Sequence, residues 1–213
     1  MDSVQAKLSP LYKTYNEVIK PLIAEIEART EHFPTSLYNE IRAFTDHVAR
    51  CHKEDVTDAD VDIQISKAKG HIDRIVFDCY KFLNVYLFDV VVAKFDKRTK
   101  NIDLSLIDNG RFYIKYRELR QSIIDTLKEA KSLETRTNKE ASLDKYQLAH
   151  NIYDDLEQHI IANDTNICWA KVKYTSSKFL RFLGWIGSAI ISGIISSSII
   201  PWSIWWDYIK SLF

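Results

Sequence analysis

A chain of 213 residues with 29 basic and 29 acidic side chains has no net field to steer it onto DNA or RNA, and no run of Lys or Arg long enough to leave a nucleic-acid footprint. With 46% hydrophobic and 27% charged residues it suits one globular domain plus an appendage. Cys51, Cys79 and Cys168 are odd in number, widely spaced and free of CxxC or Cys/His ligand spacing, which fits reduced thiols in cytosol packed as small hydrophobes.

The opening residues Met1–Gln5 carry neither a basic leader nor an apolar core, so no secretory signal is expected. Ser9 followed by Pro10 predicts a helix start, and Leu11, Tyr15, Val18, Leu22, Ile23 and Ile26 keep one apolar face across Pro21, where a kink is expected. Phe33-Pro34-Thr35-Ser36 ends that helix and starts a second, with Leu37, Ile41, Phe44, Val48 and Cys51 three and four residues apart, stopping near Lys53. Glu54 to Asp60 reads as a turn with Thr57 or Asp58 as N-cap. A long period from Val61 through Ala68, Ile72, Cys79 and Tyr86 to about Phe95 predicts one very long helix, bent at Gly70 if anywhere; its dense stretch from Phe82 to Phe95 is too short for a membrane span and carries Asp89, so it is expected in the core. After a charged break at Lys97–Asn101 and an Asp108-Asn109-Gly110 turn, Phe112 to Ala130 marks a fourth helix. Glu134 to Glu140 is a polar joint, Leu143 to Ile160 a fifth helix, and Thr165 a cap for a sixth. No strand pattern or repeat is visible.

The second helix carries Glu40, Arg42 and His47 beside its apolar seam, and the third carries His71 and Arg74; a hairpin would put Glu40 level with His71. A polar seam of interhelical ion pairs that fixes register accounts for these residues, and a site for a partner or small ligand is the alternative. Arg42-Ala43-Phe44-Thr45-Asp46-His47 is similar to the Arg-four-residues-His spacing of HEPN-type ribonucleases, all-helical proteins in which paired Arg and His act on RNA. Phe44, inside that motif, falls on the core face. Nucleotide-cradling GxxxxGK[ST] and GxGxxG, the metalloprotease HExxH and the hydrolase GxSxG are all absent, so no enzyme, cofactor or metal is expected.

The tail differs from everything before it. Three of five glycines and four of five tryptophans fall after residue 180, and from Phe182 to Trp206 there is no ionisable side chain. Twenty-five residues of helix rise roughly 37 Å, more than the ~30 Å hydrocarbon core of a bilayer. Trp185 near one end and Trp202, Trp205 and Trp206 at the other mark the two interfaces, and Lys171, Lys173, Lys178 and Arg181 put the positive excess on the N-terminal, cytoplasmic side. Gly184, Ser188, Ser192 and Ser196 recur every four residues, with Ala189, Gly193 and Ser197 in a neighbouring row, a small-residue stripe suited to self-association; serine merely tolerated in an anchor is the plain alternative. Pro201 either ends the span, with a short amphipathic helix lying in the interface beyond it, or kinks one tilted helix.

These features predict an all-α protein: an elongated antiparallel helical bundle with one C-terminal transmembrane helix and a short interfacial helix. The expected divisions are 1–165 as a cytosolic bundle, 166–181 as a basic juxtamembrane helix, 182–200 as the span and 201–213 as an interfacial tail. On that layout the chain resembles the small membrane effectors of bacterial antiviral systems, in particular the membrane-protein partners of retron reverse transcriptases and other abortive-infection modules. The resemblance implies an inner-membrane protein that binds lipid, oligomerises, is held inactive by a regulatory protein or a ribonucleoprotein such as a reverse transcriptase complex, has no direct sequence-specific nucleic-acid binding, and disrupts the membrane on infection. A passive anchored scaffold and a HEPN-like ribonuclease are the alternatives.

Overall fold

A computed structural model of the chain describes residues 2–134 and 138–199, with Trp206 and Lys210 beyond them, and side chains between 4 and 193. Among the described residues every regular element is helical. They are α1 (Asp2–Thr14), a π turn (Tyr15–Ile19), α2 (Lys20–Thr30), α3 (Thr35–Arg50), α4 (Asp58–Leu87), a second π turn (Phe88–Ala93), α5 (Lys94–Thr99), a 3-10 segment (Leu104–Gly110), α6 (Arg111–Ser132), α7 (Lys139–Ala162) and α8 (Asp164–Ile199).

The chain divides into two compact units. One comprises Met1–Lys97 with Ile114–Ile161, the other Arg98–Tyr113 with Ala162–Phe213. Residues 98–113 thus group with the C-terminal segment. The reason is local packing. Leu104, Ile107 and Phe112 are buried, as are Ile167 and Ala170 on the first turns of α8, and Arg98 pairs with Asp164 at 3.2 Å.

In the first unit the core gathers around α4. Ala68, Ile72, Ile75, Cys79 and Leu83 on this helix are at most 2% exposed and pack with Leu8, Ile19 and Ile26 of the N-terminal helices and with Leu37 and Phe44 of α3. Full burial of each Leu or Ile side chain is worth about 1.5–3 kcal/mol, so this seam governs the register of the hairpin. Thr57 caps α4, its Oγ1 accepting from the Asp60 amide at 3.2 Å, and Pro34 closes the entry to α3 in an extended conformation. The dense stretch from Phe82 to Phe95 is core as expected along one face: Leu83, Leu87, Val91, Val92 and Phe95 are buried.

Two expectations are corrected. The first helix does not begin at Ser9-Pro10 but already at Asp2, with Pro10 in its interior; Leu8 is fully buried, and its packing outweighs the amide hydrogen bond that proline forgoes. Irregularity in the long third helix comes at the π turn from Phe88, not at Gly70, which stays helical.

Among the described residues no helix is long and apolar enough to cross a membrane. The helix expected to span at 182–200 is preceded by Lys178 and Arg181, and its side chains are described only over the twelve residues from Phe182 to Gly193, whereas a span takes roughly 20. The backbone is helical to Ile199, whereas the side chains beyond Gly193, and the amphipathic tail at 201–213 apart from Trp206 and Lys210, lie outside the described residues.

Candidate functional site

The α3–α4 hairpin brings four of the five expected cluster residues together. Glu40 Oε2 accepts from Arg74 Nε at 2.8 Å and lies 2.6 Å from His71 Nδ1. Burial alone would raise the Glu40 carboxyl, but the bonds from Arg74 and His71 outweigh it and hold the group below its ordinary value. Arg74 Nη2 also approaches His71 Nδ1, at 2.6 Å. A single ring nitrogen either donates or accepts, so Nδ1 serves Glu40 or Arg74 at any moment but not both. His47 stacks on His71 with ring centroids 5.2 Å apart, and its Nδ1 donates to Gln64 Oε1 at 2.7 Å.

Arg42 stands outside this group. It is exposed on α3, and five residues along an α-helix turn it about 140° away from His47. That angle follows from the spacing itself, so within one copy of α3 the two side chains lie on different sides of the helix. What the cluster does in the fold is join two helices: an ionised carboxylate against a guanidinium, with two imidazoles closing the seam.

A second polar network was not visible in the sequence. On α2, Glu25 and Arg29 face His150, Asp154 and Glu157 of α7. Arg29 binds Glu25 at 2.8 Å and Glu157 at 3.1 Å, and reaches Asp154 at 3.6 Å. His150 Nε2 sits 3.1 Å from both Glu25 oxygens, and its Nδ1 3.8 Å from Asp154. The hydrogen bond from His150 holds the Glu25 carboxyl below its ordinary value against the opposing effect of burial. Burial pushes the His150 imidazole down, but its hydrogen bond and charge interaction with Glu25 outweigh that and raise it. Glu25, His150 and Asp154 offer ligand atoms all within 4.8 Å of one another, a spacing that suits a cation. The Arg29 guanidinium already stands among them, so the charge a metal would supply is supplied by the chain. Residues 125 positions apart carry no sequence signal for such a pairing.

On α8 the expected membrane residues are described in part. Lys171, Lys173, Lys178 and Arg181 are exposed; Lys173 lies 4.8 Å over the Trp169 ring and Lys178 4.5 Å over Tyr174. Gly184, Ser188 and Ser192, four residues apart, form one line along the helix, while Ala189 and Gly193 fall on a second line about 100° round from it. A Cβ built on Gly184, Gly187 or Gly193 meets nothing within 4 Å, so packing within the chain does not call for glycine there. Ser188 Oγ donates to its own helix at Trp185 O, 2.8 Å away. The side chains of Ser196 and Ser197, and all of Trp202 and Trp205, lie outside the described residues; Trp185 and Trp206 are exposed.

No protein family, characterised protein or solved structure shows detectable similarity to the chain.

Proposed function

We propose that the chain is a non-enzymatic membrane protein in which the end of α8 enters a bilayer and self-associates, while the helical unit around α4 remains in the cytoplasm and answers to a protein or ribonucleoprotein partner. The observation that carries this reading is the uncovered apolar surface of α8. No residue from Lys171 to Gly193 is buried, yet Phe179, Leu180, Phe182, Leu183, Trp185, Ile190 and Ile191 are all large and exposed. At 100° per residue these side chains cover about two thirds of the helix circumference, and the remaining sector holds the small residues Gly184, Ser188 and Ser192, so from Phe182 on no side of the helix is charged. A helix apolar all round is covered by protein or by lipid, and the charge-free sequence that follows to Trp206 extends the same surface beyond bilayer length.

Four exposed cations at the N-terminal end of this surface, three before it and Arg181 just within it, support a cytoplasmic N-terminal side. Opening of the glycines onto space supports close approach of a second helix. The likeness to membrane effectors of bacterial antiviral defence, held in check by partners and disrupting the inner membrane when released, supplies the biological setting of the proposal.

The test is made on the stripe. Ser188→Leu adds bulk between helices and makes the segment more apolar, so the protein stays in the membrane while crosslinking between copies and dye entry on overexpression are lost. Ile191→Leu changes neither. Full dye entry with Ser188→Leu refutes this packing face, and no dye entry from the unmodified, partner-free protein leaves a passive anchor.

A further inference from the structure

The chain is neutral as a whole, but its two units are not. Arg98–Tyr113 with Ala162–Phe213 holds eight basic and four acidic side chains, an excess of four positive charges that the other unit balances. Half of those bases, Lys171, Lys173, Lys178 and Arg181, stand exposed within eleven residues of α8. From Thr165 to Trp206 the sequence has no Asp or Glu, and Asp164 just before is held by Arg98 at 3.2 Å. Among the described residues none of the four cations is in an ion pair. Lys173 and Lys178 lie instead over the rings of Trp169 and Tyr174, at 4.8 and 4.5 Å.

Their placement around the helix is ordered. At 100° per residue Lys171, Lys178 and Arg181 fall within about 80° of one another, while the exposed Val172, Phe179 and Leu183 fall within about 40°, centred about 140° away. Between the cations, Thr175, Ser176 and Ser177 donate their hydroxyls to carbonyls of their own helix at 2.9, 2.9 and 3.0 Å. The surface therefore offers charge and apolar area but no free hydroxyl donor to read a base edge, and Val172 and Leu183 give no ring for a base to stack on. Anionic groups over a hydrocarbon layer match that combination, and a nucleic acid does not.

We propose that the basic start of α8 binds the phosphate headgroups of anionic phospholipids, with Lys178 and Arg181 in direct contact and Lys171 and Lys173 attracting at longer range. This rests on the reading that the end of α8 enters a bilayer. For an upright helix with Phe182 at the edge of the hydrocarbon, Arg181 and Lys178 stand about 1.5 and 6 Å above it, inside a headgroup layer of roughly 5–8 Å, whereas Lys173 and Lys171 stand about 14 and 17 Å above it. From that height their long side chains reach back to within about a Debye length of the surface, so salt screens their share far more than that of the inner pair.

The experiment uses the full chain in phosphatidylcholine vesicles that carry the same minor share of brominated phosphatidylglycerol or of brominated phosphatidylcholine. Bromine in an acyl chain quenches a tryptophan it touches, and Trp185 lies one turn beyond Arg181. Relative quenching favours the anionic lipid by about fivefold or more, the worth of one cation at a membrane surface. Lys178→Gln with Arg181→Gln brings the two lipids close to parity, Lys178→Arg with Arg181→Lys keeps the preference, and Lys171→Gln with Lys173→Gln lowers it at low salt only. Trp185→Phe removes the preferential part of the quenching, which locates it at this end of the helix. Equal quenching by the two lipids, a preference that survives loss of the inner pair or of Trp185, or a labelled single-stranded RNA that binds the chain in neutral vesicles and abolishes the preference overturns the proposal. Flotation separates this from the reading beneath it: a chain that floats with the vesicles yet shows equal quenching overturns the proposal alone, and one that floats with neither kind of vesicle overturns both.

Discussion

Replacing Glu25 by Gln tests whether the α2–α7 network is an ion pair with a protonated histidine at its centre. The Glu25 carboxylate accepts from Arg29 Nε at 2.8 Å and from His150 Nε2 at 3.1 Å; the Glu25 side chain is 26% and the His150 side chain 9% exposed, so solvent screens the pairing only partly. Hydrogen bonds to charged groups are each worth about 1.5–3 kcal/mol. A Gln side chain keeps one acceptor oxygen and loses the charge, so about 2 kcal/mol should go, the equivalent of roughly thirtyfold faster local opening. The size of the effect depends on pH, with a definite sign. His150 is raised, so its contribution is complete below its ordinary value of 6.5 and is lost as pH rises through the folded value; Glu25 is lowered, so its contribution is complete above 4.5 and is lost as pH falls through the folded value. Between these ordinary values the pair is whole. Hydrogen exchange of α2 and α7 amides in the full chain, corrected for intrinsic rates, should therefore show the largest cost of Glu25→Gln near pH 6 and a smaller one at a pH above the folded value of His150, where a neutral ring can still donate from Nε2 but its charge is gone. An equal cost at both pH values would refute a charged His150.

Leu83→Ala removes a fully buried side chain from the last turns of α4 and should cost about 2–5 kcal/mol, read as earlier urea unfolding of the α4 unit; a loss below 1 kcal/mol would mean that the seam is not the core. Arg42→Ala and His47→Ala should leave any growth inhibition in place and total RNA intact. RNA cleavage that disappears in either folded variant would instead make the chain a ribonuclease, with Arg and His meeting across two copies.

Helices were legible where one face of the chain is buried. Leu37, Ile41, Phe44 and Val48 repeat at helical spacing because a single seam covers them, and Thr57 advertises a cap because its hydroxyl finds its partners locally, accepting from the Asp60 amide and donating to the Asp60 carboxylate. Such signals act over a turn or two. What escaped them are pairings over distance: Arg29 with Glu157, 128 residues apart, or Asn84 with Tyr146, 62 apart. Pro10 misled for a related reason, since the local preference of proline for a first turn yields to burial of Leu8 two residues earlier. The cluster at Glu40, His47, His71 and Arg74 was legible because a short hairpin fixes which residues face one another; Arg42 shares their stretch of sequence but points elsewhere.

The central claim is that the apolar end of α8 lives in lipid. Alkaline carbonate extraction of membranes from expressing cells, run beside Ile190→Asp, measures it directly. A carboxylate in the middle of a span costs about 2.5–3.5 kcal/mol beyond the loss of isoleucine's own contribution, so the unmodified chain should stay in the membrane pellet while a large share of the Ile190→Asp protein is released. Release of both proteins into the soluble fraction would contradict the account.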